Sequence, residues 1–366
     1  MKKFSFTLLF ALMVFAGSVY AQGQLTTPDP SPKAFIKQRV GLTDISVEYH
    51  RPFVKGREIW GKIVGIYETD QLEKGQTPWR AGANENTIVS FSTDVKVEGK
   101  VLAAGSYGLH IIPTKSEWTV IFSENTTSWG SYFYKVEEDV LRVKVNPGEC
   151  SFHEALTFDI EPESNDAARI VLRWEKKEIP IKVAINTHEV VLANMRNELR
   201  GVQGFTWQGF NTAAAYCLKN NIALEEGLKW SDVAISREKN FSTLSVKSGL
   251  LSKKGETAEA ETLMASAMEL ATNTELNNYG YELLNQGKLD AAIEVFKQNT
   301  ERNPDDPNVF DSLGEGYVLR NAEGDKKLAI KALETSLSMN PPENVKLNSL
   351  RLLKQLGVKK YAEGAR

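Results

Sequence analysis

A repeat in the C-terminal half of the chain constrains its fold more than any other feature. Glycine or alanine recurs at positions 227, 260, 292 and 329, at separations of 33, 32 and 37 residues. Separations of this size are typical of arrays of antiparallel helical hairpins, where a small residue in each second helix lets the two helices touch. Stacked hairpins bury their apolar faces against one another and curve around a concave groove. The repeat therefore predicts a helical domain with a groove that offers room for a partner.

The repeat units differ in how clearly they are marked. The clearest unit has Gly280 where its two helices touch, Phe296 in the second helix and Pro304 at its end. The unit after it is longer, and the two units before it are progressively weaker. A closing helix is predicted over residues 345–356, with Leu347 among its inward-facing residues.

The segment before Thr187 has a different pattern, in which polar and apolar residues alternate over short stretches separated by turn residues. Ile45, Val47 and Tyr49 show the alternation, which is typical of a half-buried strand. Many short strands without a helical period between them favour an antiparallel β-sandwich or barrel-like domain, predicted over residues 33–186. A linker helix and a joint are predicted at 187–204, and the repeats at 205–356 with a tail at 357–366.

The same alternation predicts where individual strands begin and end. Residues 86–97 are predicted to form one strand. Residues 168–174 and 179–185 are predicted to form two separate strands.

The N-terminus has the three parts of a secretory signal peptide. Lys2 and Lys3 form a basic start, an apolar core covers residues 4–16, and residues 19–21 offer small side chains for cleavage before Gln22. We therefore expect the leader to be removed and the protein to be exported, either to a periplasm or out of the cell.

A polar, proline-containing tether follows the leader at residues 22–32. No cysteine follows the apolar core, so a lipoprotein anchor is not indicated, and no later apolar run is long enough to cross a membrane. The two cysteines, Cys150 and Cys217, fall in different predicted domains, which favours two separate buried thiols over a disulfide. The formal net charge of -3 and the lack of a basic block argue against nucleic acid as a partner.

The sequence lacks the usual patterns for catalysis or cofactor binding. It contains no phosphate-binding P-loop, no HExxH zinc helix, no GxSxG nucleophile elbow and no CxxC pair. Folding could bring His50, His110 and Glu48 together at a metal site, but two unrelated strand histidines are the favoured interpretation. We therefore predict no cofactor and no metal, and we favour a protein without enzymatic activity.

One segment has the residue types of a ligand-binding site. Residues 79–84 place an indole, a guanidinium and a carboxamide on a backbone of small residues, beside a long loop that carries further cations. Such cations could hold a carboxylate, phosphate or sulfate, and exposed aromatic groups could stack on a sugar. The predicted ligand-binding residues are Arg51, Lys55, Arg57, Trp79, Arg80, Asn84 and Trp129.

A structural role is the alternative explanation for the same residues, and it is slightly favoured. In this interpretation Arg51 and Arg80 pair with acidic residues and pin the long loop to the sheet, with Trp60 and Trp79 as its hydrophobic anchors. The acidic residues concerned are Glu48, Glu58 and Glu85.

Several segments also resemble a known family. Residues 33 to about 185 resemble the bacterial family of domains of unknown function numbered 2911, which implies an exported β-rich domain, sometimes joined to a helical repeat tail. That family supplies no established activity. The segments that carry the resemblance are Val47–Pro52, Lys55–Arg57, Trp79–Asn84, Ala104–Leu109, Trp118–Phe122 and Trp129–Gly130.

Residues 205–356 resemble tetratricopeptide repeats, which implies that the groove binds a peptide or protein. The predicted fold is therefore a multidomain β-then-α chain, in which an antiparallel β-sandwich or barrel-like domain precedes a tetratricopeptide-like helical-hairpin array.

Three functions are compatible with this organisation, and one of them, a chiefly structural envelope protein, predicts binding of neither a protein partner nor a small ligand. The first is an exported, non-enzymatic interaction protein, whose repeats bind a protein or peptide and whose β domain has an unknown ligand. In the second, the β domain binds a small anionic or glycan ligand at Arg51, Arg57, Arg80 and Asn84, with or without hydrolytic activity.

Overall fold

The computed structural model describes residues 27–362. The predicted signal peptide and the start of the tether lie outside the described residues. The chain divides into two compact units, one ending at Ala193 and one beginning at Asn194. The described residues form β-strands first and α-helices afterwards, which confirms the predicted fold class. Within residues 27–362, none of the helices has both the length and the apolar character needed to span a bilayer.

The first unit contains two antiparallel sheets. One has six strands in the order β1-β2-β3-β6-β7-β8, and the other has four in the order β5-β4-β10-β9. The strands are β1 (Lys33–Val40), β2 (Thr43–His50), β3 (Thr87–Phe91), β4 (Val95–Val97), β5 (Lys100–Leu102), β6 (Gly105–Ile112), β7 (Trp118–Ser123), β8 (Asp139–Val145), β9 (Gly148–Pro162) and β10 (Ala167–Ala184).

The two sheets share one hydrophobic core. Val47 and Val89 of the larger sheet and Leu172 of the smaller sheet are fully buried members of the same cluster. Tyr49 links the sheets directly, because its ring packs edge-on against Phe158 at 4.8 Å and its hydroxyl accepts a hydrogen bond from the Phe158 amide at 3.1 Å. The alternating pattern of the sequence therefore folds into a sandwich with its apolar faces turned inward.

Two strand predictions were wrong. Residues 86–97 contain two strands in different sheets, because polar side chains redirect the chain between them. The Ser92 hydroxyl accepts a hydrogen bond from the Asp44 amide, and the Asp94 carboxylate accepts one from the Ala104 amide. The two strands predicted at 168–174 and 179–185 are one strand, β10. Its pairing with β9 shifts register on both sides of Glu175, which has a φ of +56°, so a bulge carries the charged run within the sheet.

The second unit consists of helices, apart from the short 3₁₀ turn at Val202–Phe205. Helix α1 (Thr187–Glu198) contains the boundary between the units. The helices that follow are α2 (Trp207–Asn220), α3 (Leu224–Arg237), α4 (Phe241–Lys254), α5 (Thr257–Leu270), α6 (Asn273–Asn285), α7 (Leu289–Arg302), α8 (Pro307–Arg320), α9 (Asp325–Ser338), α10 (Glu343–Gln355) and α11 (Lys359–Ala362).

Helices α2 to α9 pack as four consecutive hairpins, and α10 packs against the last of them. Local sequence determines where several of these helices begin. Thr272 and Glu275 form a capping box at the start of α6, and the Asp306 carboxylate caps α8 ahead of Pro307 at its first position. The sequence therefore encodes both the helix boundaries and the period of the array.

Small residues allow the helices of each hairpin to approach closely. Gly280 of α6 lies against the ring of Phe296 in α7, and Gly314 of α8 lies against Leu333 in α9. The prediction for the closing helix was wrong in one respect. Leu347 is exposed, and Leu352 and Leu353 face the core of the unit.

The cysteines do not form a disulfide with each other. Both are free thiols; Cys217 is buried, as predicted, whereas Cys150 is only half-buried.

Candidate functional site

Trp79 joins the predicted binding segment to the core of the sandwich. Its backbone exchanges two hydrogen bonds of 2.7 Å with Ile111, and its indole stacks on Trp174 with a centroid distance of 6.0 Å. Trp60, from the long irregular loop, packs edge-on against Trp79 at 5.7 Å. The two tryptophans thus anchor the loop, and the half-buried Trp79 ring is used for packing.

Arg80 extends from this anchor along the surface of the β domain. Its guanidinium donates to the backbone carbonyl of Asn84 and lies 5.7 Å from the centre of the Tyr132 ring. Gly130 makes room for it, because a Cβ at that position would lie 2.5 Å from the Arg80 Nε. Arg80 therefore contacts both Asn84 and the segment that contains Trp129.

The Asn84 side chain connects this segment to His50. Its amide nitrogen lies 2.7 Å from an Asp29 carboxylate oxygen and 3.0 Å from the His50 Nδ1. The same His50 nitrogen lies 2.9 Å from the Ser31 carbonyl, and the other ring nitrogen lies 2.9 Å from the Glu85 carboxylate. His50 is 9% exposed, and contacts on both of its ring nitrogens fix the orientation of its ring.

A cavity of about 290 Å³ opens beside His50, and we call it the β-domain cavity. Its walls come from β1, β2, β3 and the loop after β7. The lining residues are Lys33, Glu48, Tyr49, His50, Glu85, Asn86, Ile88, Thr126 and Thr127.

The charged groups on the cavity wall are paired with one another. The Lys33 ammonium lies 2.5 Å from the Glu48 carboxylate, and His50 contacts Glu85. Asn86 is different, because it is only 3% exposed and its Oδ1 has no hydrogen-bond partner among the described residues. Asn86, one of the lining residues, thus holds a buried neutral acceptor that is unsatisfied among the described residues.

The three cations predicted from the long loop are engaged elsewhere. Arg51 donates to the Leu156 carbonyl at 3.0 Å and to the Thr157 hydroxyl at 2.9 Å, which ties the end of β2 to β9. Arg57 donates to two carbonyls of its own loop, and the exposed Lys55 ammonium lies 5.8 Å from the Phe53 ring. Their assignment to a ligand site stays a prediction, and the contacts of Arg51 and Arg57 are those of a clamp formed with carbonyl and hydroxyl oxygens.

Aromatic side chains are exposed along the segment that follows β7. Trp129 is 53% exposed, and Tyr132 and Phe133 are 73% and 71% exposed. They continue the loop whose Thr126 and Thr127 line the cavity. The Ser128 carbonyl accepts a hydrogen bond from the Asn86 amide, which fixes this loop to the cavity wall.

His50 and His110 make separate sets of contacts. His110 is buried, its Nδ1 lies 3.0 Å from the Ser131 hydroxyl, and burial together with Arg80 lowers the pKa of its imidazole to about 4. Within residues 27–362, no group of three or more histidine, cysteine or acidic side chains is arranged to hold a metal ion.

The sequence pattern does not single out Glu85 and Asn86, which line the β-domain cavity, and it singles out His50 only as a possible metal ligand. Glu85 and Asn86 directly follow the predicted segment 79–84, so that proximity was an available signal. The contact of His50 with Asn84 joins residues 34 positions apart, and only the pairing of β2 with β3 brings them together.

The second unit carries a polar surface on the first helices of neighbouring hairpins. The Tyr281 hydroxyl of α6 donates to the Glu315 carboxylate of α8 at 2.9 Å. The Asn348 amide of α10 donates to the Asp311 carboxylate of α8 at 2.8 Å, and Ser349 donates to the same carboxylate. We call this polar cluster of five residues, in which Asp311 and Ser349 are buried, the repeat groove.

The acidic groups of the repeat groove have only neutral hydrogen-bond donors among the described residues. Burial raises the pKa of the Asp311 carboxyl above its usual range, because the charged form loses its hydration there. The Arg351 guanidinium, which donates to the Asn348 Oδ1 at 2.7 Å, partly opposes this pKa shift of Asp311, so a cationic group from a partner would add to an opposite charge that the cluster already contains.

The fold and these two sites define the class of the protein: a β-sandwich joined to an array of helical hairpins. Residues 31–183 match the family described as protein of unknown function DUF2911, as the sequence resemblance predicted. Residues 276–306 match the tetratricopeptide repeat, which confirms the repeat prediction and indicates a role in protein interaction. None of the curated proteins matches this chain significantly.

Solved structures with helical repeats resemble parts of the chain. MamA from Desulfovibrio magneticus RS-1 is 17% identical, with 44% of this chain and 90% of that chain covered and a TM-score of 0.28. The C-terminal part of a TPR repeat-containing protein from Cytophaga hutchinsonii is 17% identical, with coverages of 48% and 73% and a TM-score of 0.31. PilF from Pseudomonas aeruginosa is 17% identical, with coverages of 44% and 74% and a TM-score of 0.29.

Proposed function

We propose that this chain is an exported, non-enzymatic interaction protein whose repeat groove binds a peptide segment of a partner protein. The observation that carries the proposal is the hydrogen-bonded polar cluster that joins α6 and α8, the first helices of two consecutive hairpins, to α10. Grooves of this kind recognise peptides through shape and a few placed polar groups.

The chemistry of the repeat groove favours a basic peptide. Asp311 and Glu315 present two carboxylates whose donors are the neutral Tyr281, Asn348 and Ser349. A lysine or arginine side chain would form charge-assisted hydrogen bonds with them. Because Asp311 is buried, a cation that reaches it would interact in a medium of low polarity, where such pairs are stronger than on the surface.

Binding to immobilised peptides tests the proposal. The library carries lysine, arginine, glutamate or alanine at one central position, and the full mature chain is applied at low and high salt. We expect retention by lysine and arginine peptides, weakened by salt. Glu315→Gln should weaken peptide retention about three- to tenfold, because it removes the negative charge. The glutamine side-chain oxygen can still accept the hydrogen bond from Tyr281.

Glu294→Gln is the matched control, because Glu294 is an exposed acid on the second helix α7, where it pairs with Lys297. It should leave peptide retention unchanged. Equal losses from the two substitutions, or no preference for basic peptides, would contradict a specific groove.

Export is a separate part of the proposal, and it rests on the signal-peptide pattern of residues 1–21. Expression of the full chain in a bacterial host should yield a periplasmic or secreted protein whose mature N-terminus is Gln22. An intact N-terminus together with retention in the cytoplasm would refute it; N-terminal peptide mass spectrometry decides between the two.

A further inference from the structure

Helix α5 has an open face that the rest of the repeat array leaves uncovered. Two of its 14 residues, Ala260 and Ala267, are buried, whereas α7 and α9 bury five residues each. Residues three and four positions apart in a helix share a face. The face opposite the two buried alanines is exposed, and we call it the acidic face. It consists of Ala258, Glu261, Thr262, Ala265 and Glu269.

Small side chains along the centre of the acidic face leave room for another helix. The distance between two packed helices depends on the side chains at their contact, and the alanines Ala258 and Ala265 allow a close approach. The Thr262 hydroxyl donates back to the Ala258 carbonyl at 2.9 Å, and the Ser266 hydroxyl donates to the Thr262 carbonyl at 3.2 Å. A helix that covers this face would therefore leave neither hydroxyl without a hydrogen bond.

The charged groups of α5 are all negative. The helix contains Glu259, Glu261 and Glu269, and it contains no lysine or arginine. Among residues 27–362, none of these three carboxylates has an ion-pair partner. A helix that binds the acidic face would therefore bind best with positive charges at its border.

Helix α9 of the same chain has a face of the opposite charge. Lys327 and Lys331 lie one turn apart on its exposed side, and Leu328 beside them is 44% exposed. Within the described part of the chain, neither ammonium group forms an ion pair. We call these three residues the basic face. Its leucine and lysine stems can cover the small residues of the acidic face, while the ammonium groups reach the carboxylates at the border.

The wider charge distribution of the array points to a second copy as the partner. Residues 256–315 contain 13 acidic and three basic residues, whereas residues 320–362 contain nine basic and four acidic residues. Both faces are exposed in the single chain, and the third hairpin separates α5 from α9 along the array. A second copy presents the complementary face wherever the first copy is present, so it can cover what one chain leaves open.

We propose that the acidic face of one copy binds the basic face of a second copy. Because the contact joins two different faces, it is heterologous, and further copies can add at both ends. A single pair of helices buries less area than the roughly 1,600 Å² of a standard interface, so the association is weak and sensitive to salt. No residue of the repeat groove takes part, and the proposal is therefore independent of peptide binding.

Sedimentation velocity of the full mature chain tests the proposal. Increasing protein concentrations are compared at about 20 mM and about 500 mM sodium chloride, because salt screens contacts between exposed charges. We expect species larger than a monomer to grow with concentration at low salt and to dissociate at high salt. Lys327→Glu combined with Lys331→Glu should lower the association constant about tenfold or more at low salt, as should Glu261→Lys combined with Glu269→Lys.

A charge exchange separates this contact from a general effect of net charge. The variant with all four substitutions exchanges the signs of the two faces and keeps the net charge of the parent chain. It should associate with itself as the parent does but not with the parent, because each α5–α9 contact between the two would join like charges. Circular dichroism establishes that each variant is folded.

Lys239→Glu combined with Lys253→Glu is the matched control. Both lysines are exposed in the second unit, lie outside the two faces, and change the net charge as much as the α9 substitutions do. This control should keep the association of the parent chain. Glu315→Gln should also keep it, which separates the proposal from the repeat groove.

Three results would overturn the proposal. The first is a monomer at every protein concentration at low salt. The second is an association that the α5 and α9 substitutions leave unchanged, or that the control substitutions weaken equally. The third is a folded four-substitution variant that fails to associate with itself, or that associates with the parent chain.

Discussion

The contact between Gly280 and Phe296 makes a strong prediction about the repeat domain. Alanine is the better helix former, so a Gly→Ala change inside a helix normally stabilises by about 1 kcal/mol. At Gly280 a Cβ would lie 2.7 Å from two ring carbons of Phe296, where ordinary carbon contacts are about 3.5–4.0 Å. The ring must therefore move by about 1 Å or the two helices must separate.

Phe296 has little freedom to move. It is fully buried, its ring packs edge-on against Tyr281 at 5.3 Å, and Gly316 lies against its other side. Overpacking of this kind costs about 1–3 kcal/mol, which exceeds the gain in helix propensity. We therefore expect Gly280→Ala to lower the free energy of unfolding by about 1–2 kcal/mol, and the melting temperature by about 2–8 °C.

Thermal and urea unfolding of the full chain, followed by circular dichroism at 222 nm, measures this effect because the helices dominate that signal. The control is a double-mutant cycle in which Phe296→Leu is combined with Gly280→Ala. The smaller side chain should make the alanine neutral or favourable. A melting temperature that is unchanged or raised in Gly280→Ala alone would refute the reasoning.

Three further predictions concern single groups. Burial and Arg80 lower the pKa of His110 from 6.5 to about 4, so the folded state has its full stability above pH 6.5, where the imidazole is neutral. About 3 kcal/mol of the free energy of unfolding is lost as the pH falls towards 4. Unfolding of His110→Gln, followed by tryptophan fluorescence, should lack this pH dependence. Gly130→Ala should destabilise the β domain by about 1–3 kcal/mol in urea, since Gly130 has a φ of +62° and its Cβ would overlap the Arg80 guanidinium; an unchanged midpoint would count against that contact. Burial raises the pKa of the Cys217 thiol to about 11, so iodoacetamide at pH 8 should alkylate the half-buried Cys150 first. Equal alkylation rates of the two cysteines, measured by mass spectrometry, would contradict the prediction.

Local patterns in the sequence were enough to predict the architecture. The period of about 33 residues and the small residues at Gly280 and Gly314 reflect helix contacts within a hairpin. These features can therefore be recognised from the sequence without a tertiary structure. Alternation along Thr43–His50 likewise marks a strand with one buried face. Strand continuity was harder to predict, because the bulge at Glu175 is stabilised by pairing with β9, which is distant in the sequence.

The candidate site was predictable only in part. Arg80 contacts the Asn84 carbonyl and lies against Gly130, the residue after Trp129. Arg51 and Arg57 instead direct their donors to carbonyl and hydroxyl oxygens. Backbone carbonyls cannot be distinguished by residue type, so no sequence pattern shows that an arginine will bind one. Two of the acids expected to pair with these arginines have other partners: Glu48 contacts Lys33, and Glu85 contacts His50.

The sequence by itself determined the class of each domain, the start of several helices and the chemical character of the segment 79–84, because these depend on neighbours along the chain. Only the tertiary structure decided which groups meet. It placed His50 of β2 beside Asn84 and Glu85, enclosed a cavity against Thr126 and Thr127, and left the Asn86 Oδ1 without a partner. The physical reason is that the pairing of β2 with β3, and the return of the loop after β7, determine these distances.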